Sequence, residues 1–159
     1  MNDGYRVILS VDPGKATGIA VFSYDGRGEP ELVESGEYLQ HEFAGPIRKV
    51  LGSSVLQNLK VEVVCERFTI NAQTVRNSQA PYSLEQIGIL KQCMMDIGLD
   101  PETIIFQSPA DAKAMFPNPK LKKLGYWHKG GEGHALDAIR HAVLRLAKSG
   151  WKPLKLLEE

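Results

Sequence analysis

The stretch VILSVDPGKATGIAVF, Val7 to Phe22, holds two runs of strand-forming residues separated once, by Asp12, Pro13, Gly14 and Lys15. Near-continuous aliphatic residues on either side require strands buried on both faces. Pro13 cannot donate to a sheet ladder and Gly14 tolerates a turn, so the chain has to double back there. Arg6 to Asp12 and Thr17 to Tyr24 are therefore expected to pair. The turn signal DGRGEP then leads into a third β-rich run, Glu31 to Tyr38, which gives an antiparallel three-strand meander. The pattern also leaves a carboxylate, Asp12, at the end of an otherwise buried strand.

The rest of the chain alternates. A helix is expected within His41 to Leu59, with Pro46 obscuring its start. KVEVVCERF reads as a buried strand ending at Glu66. Leu84, Ile87, Leu90, Met94 and Ile97 recur at helical spacing, with Gly98 as the stop. Thr103 to Phe106 reads as a strand. In SPAD, Ser108 is placed as N-cap, Pro109 at the first helical position and Asp111 as the capping-box carboxylate. A last helix, about Glu132 to Lys148, carries Ala135, Leu136, Ile139, Ala142, Val143 and Leu146 as one apolar stripe. Three strands and a helix followed by alternating strands and helices give an α/β fold. Its mixed central sheet is antiparallel on one side, parallel on the other and flanked by helices. With 159 residues, 43% of them hydrophobic, one core is expected, hence one domain over 1–159. Cys65 and Cys93 lie inside apolar segments without metal-ligand spacing and read as buried, reduced thiols. No run approaches a membrane span and MNDGYRV has no apolar signal core, so a cytoplasmic protein is expected.

In open α/β sheets, ligands gather at strand ends. If the strands ending in Asp12 and Glu66 are parallel neighbours, two carboxylates meet there. Without a counter-charge they repel, so one takes up a proton or the site binds a cation. On the last helix His134, Asp137 and His141 are spaced i, i+3, i+7 and share one edge beside the apolar stripe. Carboxylates with few imidazoles suit Mg²⁺ or Mn²⁺ better than zinc. His141 is given no role. A phosphate loop is excluded, because DPGKATG lacks the GxxxxGK[ST] spacing.

In order and spacing, these segments resemble those of RuvC Holliday-junction resolvases, a branch of the RNase H-like fold. SVDPGKATGIAVF resembles the family's DPGxxxTG opening, VEVVCERF its second motif, and GHALDAIRHAV its closing helix; SPADAK resembles the segment before a basic region. The resemblance implies a nuclease that resolves four-way DNA junctions by paired, symmetric nicks as a homodimer. Two Mg²⁺ or Mn²⁺ ions per site would be bridged by Asp12, one completed by Glu66 and the other by Asp137 with His134. His134 stands where many relatives carry a carboxylate and some carry histidine.

The overall charge is balanced at 19 basic and 19 acidic residues, but the first 66 residues carry four more acids than bases and the remainder four more bases than acids. That asymmetry permits an anion-binding face. Within Asp111 to Lys129, five lysines face one acid with Tyr126 and Trp127 interleaved, a pattern suited to a phosphate track with stacking platforms. Lys113, Lys120, Lys122 and Lys123 are the candidate DNA contacts, and Lys113 best matches the family's basic position. The long polar segment RFTINAQTVRNSQAPY adds Arg67, Arg76 and Phe68, the last as the candidate for the aromatic that relatives insert into the junction. The helix Leu84 to Ile97, with Ile89, Cys93 and Met95 as spare apolar residues, is the expected dimer surface. Two alternatives remain: a YqgF-like nuclease of the same fold acting on RNA, and a catalytically inactive relative that binds branched DNA. Two-domain actin-like kinases need more chain than this.

Overall fold

The computed structural model describes residues 4–76 and 80–158. Five strands form one sheet in the order β3-β2-β1-β4-β5. β1 (Arg6–Asp12), β2 (Ala16–Tyr24) and β3 (Glu31–Leu39) make the antiparallel meander, and Asp12 lies opposite Gly18 at the hairpin end. β4 (Lys60–Glu66) adds parallel to β1, and β5 (Ile105–Gln107) adds parallel to β4. The first strand is thus central, as the run from Val7 to Val11, apolar except for Ser10, requires: both of its faces are buried.

Strand alternation sorts the core into two layers. Val7, Leu9, Val11, Val63 and Cys65 point to one face, where they meet Phe43, Ile47, Leu51, Leu90 and Met94. These come from α1 (Ala44–Leu56), α3 (Ala80–Asp96) and the 3-10 turn before α1. Pro46 sits in the first turn of α1, where its missing N–H removes no intrahelical bond. Ile8, Ala20, Phe22 and Val64 point to the other face, against Ala138, Ile139, Ala142 and Leu146 of α6 (His134–Lys148). Among the described residues no helix is long and apolar enough to cross a membrane.

Several expectations are corrected. Thr103 belongs to a 3-10 turn, Pro101–Thr103, capped by Asp100, so β5 starts two residues later than expected. Asn71 caps a short helix, α2 (Ala72–Arg76), inside the polar segment read as a loop; a helix this brief shows no apolar period. Residues 77–79 of that segment lie outside the described residues. α4 (Pro109–Met115) starts as expected, with Ser108 accepting from the Asp111 amide. The lysine-rich segment is not a solvated loop. It contains α5 (Asn118–Leu124), which buries Leu121 and Leu124 and ends on Gly125 at φ +84°. Tyr126 is buried against Phe22 with its hydroxyl donating to the Pro30 carbonyl, which removes it as a stacking platform. On α3, Cys93 is fully buried and is no surface residue, while Leu84, placed in the apolar stripe, is exposed along with Met95. Both cysteines are free and buried, and burial pushes both thiols up in pKa.

Candidate active site

The site is built where β1 and β4 end. Val11 pairs with Cys65 in the parallel register, which leaves Asp12 and Glu66 at adjacent strand ends. Both follow the parity of Ile8 and Val64, so both carboxylates rise on the face covered by α6. The turn behind Asp12 is held by Thr17, whose hydroxyl donates to the Gly14 carbonyl, and by Ser83 of α3, which donates to the Pro13 carbonyl. The carboxylate therefore leaves a backbone anchored from two directions.

The start of α6 is brought to the same place by two non-local devices. A Cβ on Gly18 of β2 would lie 1.9 Å from the His134 carbonyl oxygen, so only glycine lets the helix start rest on the strand. The N-cap position is Gly133 at φ +94°, which has no side chain to cap the helix. Glu37 of β3 takes over that function: its carboxylate accepts from the amides of Glu132 (2.9 Å), His134 (2.8 Å) and Ala135 (3.3 Å). Burial works against its ionised form, but these donors outweigh it and hold the Glu37 carboxyl below its usual range.

α6 then presents three side chains toward the strand ends, each engaged. His134 Nδ1 lies 3.1 Å from Asp12 Oδ2. His141 Nε2 lies 2.9 Å from Glu66 Oε2. Asp137 Oδ1 pairs with Arg140, a buried guanidinium that also donates to the Phe116 carbonyl and to Asn118. Burial pushes the Asp12 carboxyl up from 3.8 to about 6, and the charges of Glu66 and Asp137 add to that, against the hydrogen bond from His134. The same hydrogen bond raises His134, although its burial opposes the charge. Asp12 is thus a buried carboxylate whose neighbours do not fully compensate it.

This donor set matches a hard divalent cation in chemistry: three carboxylates and one imidazole at one end of the sheet. Each carboxylate has one oxygen engaged, while its second oxygen receives no hydrogen bond from a described residue. Among the described residues, no three His, Cys, Asp or Glu side chains stand close enough to grip a metal ion as they are. The expected residues meet around one cleft, therefore, without forming a closed cluster. The charge that Asp12 lacks is what a cation would supply.

Asp12, Glu66, His134 and Asp137 line a cleft of about 520 Å³ together with Arg67 and Phe68. A larger cleft, about 660 Å³, opens at the opposite end of the sheet, but Arg6 within it is already paired with Glu62 and Ser149. The remaining candidate DNA contacts, Lys113, Lys120, Lys122, Lys123 and Arg76, do not line the carboxylate cleft. Lys113 is exposed on α4; Lys120 reaches the Met115 carbonyl, Lys122 lies over the Trp127 ring and Lys123 donates to the Glu158 carbonyl. Sequence reasoning gave no place to Glu37, Gln107, Arg140 or His141. The helical spacing of His141 was visible, but its partner is on β4, 75 residues away.

No protein-family model and no curated protein sequence matches the chain. Solved structures do. The Thermus thermophilus RuvC structure aligns with a TM-score of 0.64 at 18% identity, covering 91% of this chain and 96% of that one. T. thermophilus RuvC in complex with a Holliday junction substrate aligns at 0.62 and 17%, with the same coverage. The chain therefore has the RNase H-like fold of RuvC, as its motifs led us to expect.

Proposed function

We propose that this chain is a metal-dependent, structure-selective DNA endonuclease that resolves four-way junctions by paired symmetric nicks, working as a homodimer in the cytoplasm. The observation that carries the reading is the meeting of Asp12, Glu66, Asp137 and His134 at one sheet end, in a chain that shares its fold with a RuvC solved on a Holliday junction. Asp12, Glu66, Asp137 and His134 would hold two divalent cations, Mg²⁺ or Mn²⁺. The chemistry those cations supply when bound is activation of water for in-line attack and stabilisation of the leaving 3′ oxygen.

The chain's own residues have separate tasks. Asp12 is held rigidly because its strand is buried, and His134 is hydrogen-bonded to it. Asp137 is held through one oxygen by Arg140, and Glu66 is oriented by His141. Arg67 and Phe68 on the cleft wall offer a phosphate contact and a stacking surface for an unpaired base. Lys113, Lys120, Lys122, Lys123 and Arg76 extend a basic track for the arms of branched DNA.

The test is cleavage of a synthetic four-way DNA junction with Mg²⁺ or Mn²⁺, beside structured RNA. Paired nicks in the junction are expected, and Asp12→Asn should abolish them while junction binding stays intact or tightens, since the substitution removes a ligand and a repulsive charge. Near-normal turnover by Asp12→Asn would sink the site. RNA cleavage with the junction left whole would replace this reading with an RNA nuclease, and tight junction binding without cleavage would replace it with an inactive binding relative.

A further inference from the structure

Behind Glu66 lies a second buried layer that neither the fold comparison nor the motif pattern assigns. His141 is 1% exposed and Gln107, on β5 beside Glu66 in the ladder, is 4% exposed. The Gln107 amide nitrogen donates to the His141 carbonyl oxygen at 2.8 Å and stands 3.2 Å from the His141 Nδ1. The His141 Nε2 faces Glu66 Oε2 at 2.9 Å. A carbonyl oxygen only accepts, so the amide must present its NH₂ to His141. The second hydrogen of that NH₂ points at Nδ1, which must then be the accepting nitrogen. The imidazole proton is left on Nε2 and is donated to Glu66. The amide holds this orientation although its own oxygen is buried with no partner among the described residues; reversing it would turn that oxygen against the His141 carbonyl.

We infer that His141, locked in its neutral Nε2–H tautomer by Gln107, is a positioning residue that fixes the Glu66 carboxylate through one oxygen and leaves the other facing the cleft for a divalent cation. The inference rests on the reading of Glu66 as a ligand. It deepens that reading, because a carboxylate held by one buried N–H loses less rotamer freedom on binding metal. Gln107 also ties the lock to the sheet: its backbone carbonyl accepts from the Arg67 amide at 2.7 Å, which fixes the strand end that carries Glu66.

Two measurements test it. Long-range ¹H–¹⁵N NMR of the metal-free protein should show His141 with a pyridine-like Nδ1 and a pyrrole-like Nε2; a protonated Nδ1 would overturn the inference without any variant. Calorimetric titration with Mn²⁺ is the second measurement. His141→Leu should weaken binding roughly 10- to 100-fold, the range for partners behind metal ligands. His141→Gln places an N–H donor near the Nε2 position and should recover most of that loss. Junction affinity without metal should be unchanged in both. If Glu66→Gln weakens Mn²⁺ binding but His141→Leu does not, the inference falls alone. If Glu66→Gln binds Mn²⁺ like the wild type, the reading of the site falls with it.

Discussion

Asp12 illustrates the cost of a preorganised carboxylate. Its pKa rises from 3.8 to about 6 on folding because burial disfavours the charge, so the folded protein binds this proton more tightly than the unfolded chain does. Stability must then fall as pH rises across that interval, by about 3 kcal/mol at most for a shift of about two units. His134, raised by the Asp12 hydrogen bond, adds stability below its unfolded pKa and loses it as pH rises through the folded value. In EDTA, Asp12→Asn should therefore be more stable than wild type above pH 6, with the gain vanishing near pH 4. Urea denaturation at the two pH values checks this, and an equal gain at both would exclude a titration effect. A second prediction concerns His134. His134→Asp should keep substantial junction cleavage, because carboxylate suits Mg²⁺, whereas His134→Ala should lose much more; equal activity in all three proteins would make His134 a bystander.

At the scale of elements, the site depends on where α6 begins. Its first residue is set by Gly18, which allows backbone contact, and by Glu37, which caps the helix from a neighbouring strand. Gly18→Ala forces a methyl group into the His134 carbonyl and should cost ~2 kcal/mol by denaturation, as overpacking does, with cleavage falling further because His134 moves. Glu37→Gln removes an anionic cap and should cost about 1 kcal/mol. Since the folded Glu37 pKa lies below 4.5, its contribution is present above that pH and lost on acidification through the folded value. The Glu37→Gln deficit should shrink in acid accordingly, and a deficit independent of pH would mean that Glu37 acts through packing alone.

For the whole molecule, the proposed DNA track and dimer face are separable from the cleft. Neutralising Lys113, Lys120, Lys122 and Lys123 should weaken junction binding and make its salt dependence shallower, by roughly one unit of slope for each phosphate no longer neutralised. Lys123 donates to a carbonyl near the end of the chain and Lys122 lies on Trp127, so these two should contribute less than Lys113. An unchanged slope would move the track to Arg67, Arg76 and the C-terminal lysines. The exposed Leu84 and Met95 are three turns apart on one side of α3. Leu84→Glu with Met95→Glu should convert a dimer to monomers in sedimentation, and a sedimentation profile unchanged from wild type would remove α3 from the interface.

The hairpin, the mixed sheet and the strand-end carboxylates follow from local pattern. A near-continuous aliphatic run has to be buried, proline and glycine must end it, and strand parity settles which residues rise on which face. The edge shared by His134 and Asp137 follows equally from helical spacing. Two short helices, which lack the Ser108–Pro109 start of α4, escaped that reading, because Ala72–Arg76 spans barely more than one turn and the lysines of Asn118–Leu124 outnumber its two buried leucines. Tertiary structure alone decided which charge compensates which. Asp12 meets His134 across 122 residues, Glu37 caps a helix 97 residues away, and Gln107 orients His141 across 34. These pairings depend on sheet order and on the distance between backbones, and neither is encoded in the spacing of any one segment. The residues that could carry the chemistry can be read along the chain, while the hydrogen bonds that hold them at the strand ends exist only once β1, β4 and α6 have packed.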